Sequence, residues 1–390
     1  MLPSFDILIF FAATAVGAAA FRWQTGRRRA VVLAVSSLVG VWAIFFATSP
    51  IWVFPTYVSC ALVAIAAISL WAHEETWRYW IAFLLPIVLL VTYKAILATG
   101  MSLPAFVGIS YITFRLSYLA WEINGDPDLR ASRWDYFAHA FFLPSFLVGP
   151  ISPFRAYCES KSDPVPLQEG TALLLRAILG VAKISVFAPV AAQFGSNGYS
   201  DLYHPTSAGL AMLGNLFYLY FDFSGLCDIA IAAGGIAGIR IKENFGRPFL
   251  QTNIRDFWNH WHISLTHFMR DTVYMPLLMT LMRRAPWLGF HISAAIVSFV
   301  MFFLIGIWHG STINFVLLGL LYGFGVAWAT SGPDLLKWLD PFESWGGVAA
   351  KNTVKWAVNL MFMAGCVTLM MLEPAQVAKI QNAFGQLFSR

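Results

Sequence analysis

Charge is the property this chain has least of. Asp, Glu, Lys and Arg make up 12% of its 390 residues, about half the share found in soluble domains. Apolar residues make up 58%, with 34 Phe and 16 Trp among them. So few polar groups cannot cover a globule of this size, and a soluble protein is excluded. Also missing are the ~10-residue alternating strands of a transmembrane barrel. The four cysteines, Cys60, Cys158, Cys227 and Cys366, form no CxxC pair and lie far apart, so they report no redox compartment. The first 21 residues carry Asp6 where a signal peptide would be basic, so they are expected to be a retained span. The net charge of +5 comes from basic residues between apolar runs, without interleaved aromatics. That pattern speaks for orientation in a membrane and anionic lipid, and against nucleic acid.

Continuous apolar runs fill the chain, at about 2–21, 30–48, 51–72, 79–98, 102–121, 171–192, 207–237, 288–307, 311–330 and 353–372. At ~20 residues per span this predicts an all-α polytopic membrane protein of about ten or eleven helices. A single integral membrane domain, 1–390, is expected. Weaker amphipathic stretches lie near 136–153 and 262–284. Arg22, Arg27, Arg28 and Arg29 follow the first run at once, so the positive-inside rule puts that loop in the cytoplasm and the N-terminus outside. The loop holding Arg240, Lys242, Arg247 and Arg255 is basic as well and should lie on the same side. An even number of crossings then separates the two loops, provided 136–153, broken by Pro144 and Gly149-Pro150, enters and leaves on one face.

Ionisable groups inside such runs cost at least ~2.5–3.5 kcal/mol each on insertion scales, so each needs a reason. Tyr218, Tyr220, Asp222, Ser224, Cys227 and Asp228 interrupt the run at 207–237. They either line a polar path or serve as caps and arginine partners for neighbouring helices. Gly234 and Gly238 follow at the spacing that lets helices approach closely. Asn253, Asp256, Trp258, Trp261, His260, His262 and His267 then mix aromatic and polar groups, as expected of a site or of an interfacial anchor. Farther on, His309 sits in Gly306-Ile307-Trp308-His309-Gly310, deep between two apolar runs. Glycine on both sides weakens a helix unless backbone must come close, which favours a functional histidine over a packed one.

Metal chemistry fits poorly: eight histidines, three of them clustered, supply neither several histidine boxes nor HExxH, and no resident metal or bound cofactor is expected. A serine hydrolase fits poorly too, because Asp222-Phe223-Ser224-Gly225 lacks the first glycine of a nucleophile elbow. An imidazole base that takes the proton from a hydroxyl attacking an activated acyl group needs no metal, and its reference pKa of ~6.5 suits the task.

Tyr220-Phe221-Asp222-Phe223-Ser224-Gly225, Glu243-Asn244-Phe245, Arg247-Pro248-Phe249, Asp256-Phe257-Trp258, Trp261-His262-Ile263-Ser264-Leu265, Arg270-Asp271 and Trp308-His309-Gly310 resemble, in order and spacing, the membrane-bound O-acyltransferases, particularly the bacterial branch acting on envelope polymers. Weaker similarity, including Gly108-Ile109-Ser110-Tyr111 and Gly149-Pro150-Ile151, extends the family-like core to about 100–330. The resemblance implies a ring of helices around a central tunnel, with re-entrant or interfacial pieces. It implies His309 as catalytic histidine and His262 as the second characteristic histidine near the cytoplasmic mouth. Asp222, Ser224, Asn253, Asp256, Trp258, Trp261 and Trp308 are the substrate-binding candidates. The implied donor is a cytoplasmic thioester, acetyl-CoA or the phosphopantetheine of an acyl carrier protein. The acyl group, acetyl or D-alanyl, would pass to a hydroxyl and on to an outer-face partner, an SGNH-type or other relay protein. The expected location is the bacterial inner membrane. A transporter or flippase of polymer precursors is the alternative, although no internal inverted repeat supports it.

Overall fold

The computed structural model describes residues 23–73, 77–101, 108–146, 148–195, 205–310, 312–335 and 348–372, together with Gly17. The expected first span at 2–21 lies outside these apart from Gly17. The described residues are almost wholly helical, and the extended pairing among them is one bridge between Phe245 and Trp261. Their helices are α1 (Gly26–Thr48), α2 (Val53–Trp71), α3 (Trp77–Ala98), α4 (Ile109–Gly125), α5 (Arg133–Ala140), α6 (Phe154–Ser162), α7 (Gly170–Ala182) and α8 (Ala188–Gln193). They continue as α9 (Pro205–Ile236), α10 (Ile254–His260), α11 (Ile263–Met269), α12 (Met275–Arg284), α13 (Gly289–His309), α14 (Ile313–Leu335) and α15 (Val348–Met371).

Seven helical stretches among the described residues are long and apolar enough to cross a membrane: Val53–Trp71, Trp77–Ala98, Leu167–Gln193, Ser207–Ile236, Pro286–His309, Ile313–Thr330 and Ala350–Met371. The protein is an all-α, polytopic membrane protein. Of the run at 102–121, the described residues from 108 onwards hold α4, whose buried residues lie all round it, from Ile112 to Ile123. That is a core helix, set among protein on every side. The stretch 136–153 holds the eight-residue α5 and a 3-10 turn at Leu143–Ser145. Eight residues rise only ~12 Å, so this segment enters the protein without spanning a bilayer.

By internal contacts the chain forms two compact units, one of Met1–Ala182 with Phe223–Asn244, the other of Lys183–Asp222 with Phe245–Arg390. In the first, irregular backbone after α5 is tied down by Arg115, which is 1% exposed. Its guanidinium donates to the carbonyls of His139 (3.3 Å) and Ala140 (3.1 Å), to the Ser145 carbonyl, and to Ser145 Oγ (2.7 Å). Nonhelical backbone inside a membrane protein needs such internal partners. Both basic loops meet α6: Arg29 donates to the Lys161 carbonyl at 2.9 Å, and the Arg240 N–H donates to Ser160 Oγ at 2.9 Å. Arg29 and Arg240 therefore lie at the same end of this unit.

Asp228 is not a pore-facing group here, because Arg176 pairs with it at 2.9 Å and grips Glu243 through both terminal nitrogens. The expected helix-packing role of Gly234 and Gly238 is also corrected. α9 ends at Ile236, and Gly238, with φ +92°, forms the left-handed turn that stops it. The Ile239 N–H closes that turn on the Gly234 carbonyl at 2.8 Å.

Replacing Arg115 by Met keeps the volume but leaves several buried carbonyls without donors, at ~1–3 kcal/mol for each group left unsatisfied. Arg115→Met should melt well below wild type in detergent by tryptophan fluorescence. An unchanged melting temperature would show that these carbonyls find other partners.

Candidate active site

Between α9 and α11 the second unit builds its polar segment from short helices and two left-handed residues. Arg247 has φ +58° and His262 φ +46°, conformations that cost a non-glycine residue ~1–3 kcal/mol unless the surroundings hold them. What holds them is the bridge between Phe245 and Trp261, in which the Gly246 N–H donates to the His260 carbonyl at 2.9 Å. An aromatic nest closes over the bridge. Trp261 stacks on Phe257 with centroids 5.4 Å apart and meets Phe245 edge-on at 5.2 Å. Tyr220 reaches in from α9 to Phe249 at 4.8 Å and Phe245 at 5.4 Å.

His262 is the cap residue of α11, and its carbonyl accepts from the N–H groups of Leu265 and Thr266 at 3.0 and 3.1 Å. Its side chain is 6% exposed. Burial drives its pKa down from 6.5 to about 3, and a charge on nearby His309 pushes the same way, so the ring stays neutral in the physiological range. The fold thus brings together the two histidines that lie 47 positions apart in the sequence (309 − 262).

His309 is the last residue of α13, and its ring lies 4.6 Å from that of Trp308. The glycines around it have a packing reason. A Cβ on Gly306 would collide with the backbone of Gly319 on α14, and one on Gly310 with the Phe315 ring. Backbone contact between α13 and α14 at this point fixes the height at which His309 leaves its helix.

The other expected site residues take different places. Asn253 caps α10: its Oδ1 accepts from the Asp256 N–H at 2.9 Å, and its Nδ2 donates to the Asp256 carboxylate at 2.7 Å. Trp258 is packed between Phe302 (5.1 Å) and Tyr322 (4.9 Å), and its buried indole N–H has no hydrogen-bond partner among the described residues. Asp222 is half-buried on α9. Ser224 is buried and belongs to the first unit. His260, His262 and His267 do not converge. The chain breaks at Trp261, His260 turns its Nδ1 to the Asp256 carbonyl at 2.8 Å, and His267 is exposed. Among the described residues no three His, Cys, Asp or Glu side chains are grouped to hold a metal ion.

Sequence reasoning passed over Arg115, Asn314, Trp356 and Asn359. Asn314 and Asn359 gave a legible signal, since an amide inside an apolar run needs a partner there.

The profile of the membrane-bound O-acyltransferase family matches residues 109–372, about two thirds of the chain. The chain belongs to this family. The match runs past the expected limit near 330 to take in α15. A teichoic acid D-alanyltransferase of Bacillus subtilis is 30% identical over 267 residues, which are 64% of this chain and 65% of that protein. A probable alginate O-acetylase of Pseudomonas syringae is 28% identical over 292 residues, 73% of this chain and 52% of that protein. A peptidoglycan O-acetyltransferase of Helicobacter pylori is 31% identical over 242 residues, 56% of this chain and 44% of that protein. This chain spans less than two thirds of the length of each of these relatives.

A histidine buried in its neutral form links stability to pH. With the native value near 3 and the ordinary value at 6.5, the unfolded chain binds a proton that the native one does not, throughout that window. Stability is therefore complete above pH 6.5 and is lost as pH falls towards 3. His139, also depressed to about 3 by burial and by Arg115, acts the same way. Between pH 7.5 and 5 the melting temperature of wild type should fall, and that of His262→Gln should fall less steeply. Identical slopes in the two proteins would overturn the assignment.

Proposed function

We propose that this protein is an O-acyltransferase that takes a small acyl group, acetyl or D-alanyl, from a cytoplasmic thioester and delivers it to a hydroxyl for modification of an envelope polysaccharide or teichoic acid. Family membership supports acyl transfer over transport, and the relatives' own names span both acyl groups. The observation that carries the reading is the pair of histidines brought together in the second unit, one of them left-handed, buried and uncharged.

In the proposed reaction the hydroxyl oxygen attacks the thioester carbonyl carbon while the neutral imidazole of His309 takes its proton. The tetrahedral intermediate collapses, the C–S bond breaks, and the sulfur leaves as a thiolate that is protonated in turn. The thioester is already activated, so the site need only supply a base, a fixed geometry and stabilisation of the developing oxyanion. His262, held by the bridge and by the aromatic nest, orients the reacting groups beside His309. Asp222, Trp258, Trp261 and Trp308 remain the proposed substrate contacts, while Asn253 and Asp256 act through the α10 cap they build. The donor is acetyl-CoA or a carrier-borne phosphopantetheine, and no resident cofactor is needed. An outer-face protein of SGNH type, or another relay, would receive the group.

The proposed location is the bacterial inner membrane, with the N-terminus outside and both basic loops in the cytoplasm beside the donor. Maleimide applied to intact cells should fail to label a cysteine placed at Arg28 or at Arg240 and should label both after permeabilisation. Labelling of either from outside would reverse the orientation.

His309→Ala should lower acyl transfer by about 10²–10⁴-fold, the usual scale for a lost general base, without changing expression or melting. Wild-type turnover in purified, folded His309→Ala would refute the mechanism.

A further inference from the structure

The last described helix, α15, touches the segments of both histidines, one towards its middle and the other at its C-terminal end. Towards its middle, the Trp356 indole N–H donates to the Phe249 carbonyl at 2.6 Å, and the Asn359 amide to the Gln251 carbonyl at 3.0 Å. Those carbonyls belong to the 3-10 turn Pro248–Leu250 and the residue after it, which follow left-handed Arg247. The turn sets the Phe249 ring against Tyr220, Phe257 and Trp261, and Trp261 directly precedes His262.

At its C-terminal end, the side chain of Asn314, 2% exposed, donates to the carbonyl of Leu369 in the last turn and to that of Leu372 just after the helix, at 3.3 and 3.4 Å. Carbonyls at a helix C-terminus need such donors from outside the helix. Asn314 opens α14 five residues after His309, and Thr312 Oγ1 donates to its side-chain oxygen. Thr368 is tied in addition to Asn215 on α9 at 3.1 Å. From Asn359 to Leu369 the helix rises ~15 Å.

We infer that α15 is a splint that fixes the two histidine segments relative to one another, with Asn359 and Asn314 as positioning residues for the reaction. The inference rests on the histidine mechanism above. A slide of α15 by one residue, ~1.5 Å, would break both sets of contacts, and a misplacement of about 1 Å can cost ~10²-fold in rate. Amides within apolar runs can also serve stability alone, so the test must separate the two roles.

Asn359→Leu and Asn314→Leu keep the branched heavy-atom skeleton and remove the donor, while Asn359→Gln keeps an amide. Each variant is purified full-length and assayed below its own melting onset. The leucine variants should lose about 10- to 100-fold in kcat with the donor KM unchanged, and Asn359→Gln should recover part of that loss. In a His262→Ala background, Asn359→Leu should add little further loss, because its effect passes through the missing ring. Independently of activity, diethylpyrocarbonate should modify His262 several-fold faster in Asn359→Leu, with exposed His267 reacting at its usual rate. Wild-type kcat in the folded leucine variants, additive losses in the double variant, or unchanged His262 reactivity would each overturn the splint. Turnover retained by His309→Ala would instead overturn the mechanism on which it rests, so the two failures are distinguishable.

Discussion

Backbone carbonyls that lose their helical partners are the groups around which this protein is arranged. In hydrocarbon or in a dry core each one costs several kcal/mol unless a donor is supplied. The donors here are long or amide-bearing side chains sent from a neighbouring regular helix. Arg115 serves the break after α5 in the first unit; Trp356 and Asn359 serve the turn after Arg247 in the second, and Asn314 serves the end of α15. Every irregular stretch so held lies next to a motif of the family-like core. Irregular backbone is what lets a side chain point where a continuous helix could not send it, and these donors make it tolerable.

His262 illustrates the consequence. A left-handed histidine is unfavourable by itself, and it persists because the Phe245–Trp261 bridge, the Gly246 to His260 hydrogen bond and a nest of four or five aromatic rings leave the chain no easier path. Burial of the imidazole keeps it uncharged. His309 is placed by another device. Glycine against glycine lets α13 and α14 meet backbone to backbone, so the end of α13 has little freedom to slide or tilt.

Acidic residues in the apolar runs divide along the same physical line. Asp228 found an arginine and became part of the scaffold, and Asp256 found the cap of α10. Their sequence context did not separate them from Asp222, because a carboxylate in an apolar run needs a partner whether its role is structural or chemical. Gly234 and Gly238 show a similar limit. Their spacing matches a helix-packing stripe, yet one of them terminates the helix, since glycine meets both demands equally well.

Composition and hydropathy by themselves determined the solvent, the all-helical class and most of the spans, because the cost of burying charge and unpaired backbone in lipid acts on every residue and leaves few alternatives. The spacing of Trp-His-Gly and of the aromatic and polar cluster around His262 determined which residues to watch. Only the tertiary structure decided that the run at 102–121 yields a core helix, that α15 belongs with the site, and which carboxylates are spoken for. It alone brought His262 and His309 together. Those outcomes depend on contacts between residues tens to hundreds of positions apart, where several partners are chemically equivalent and only geometry selects one.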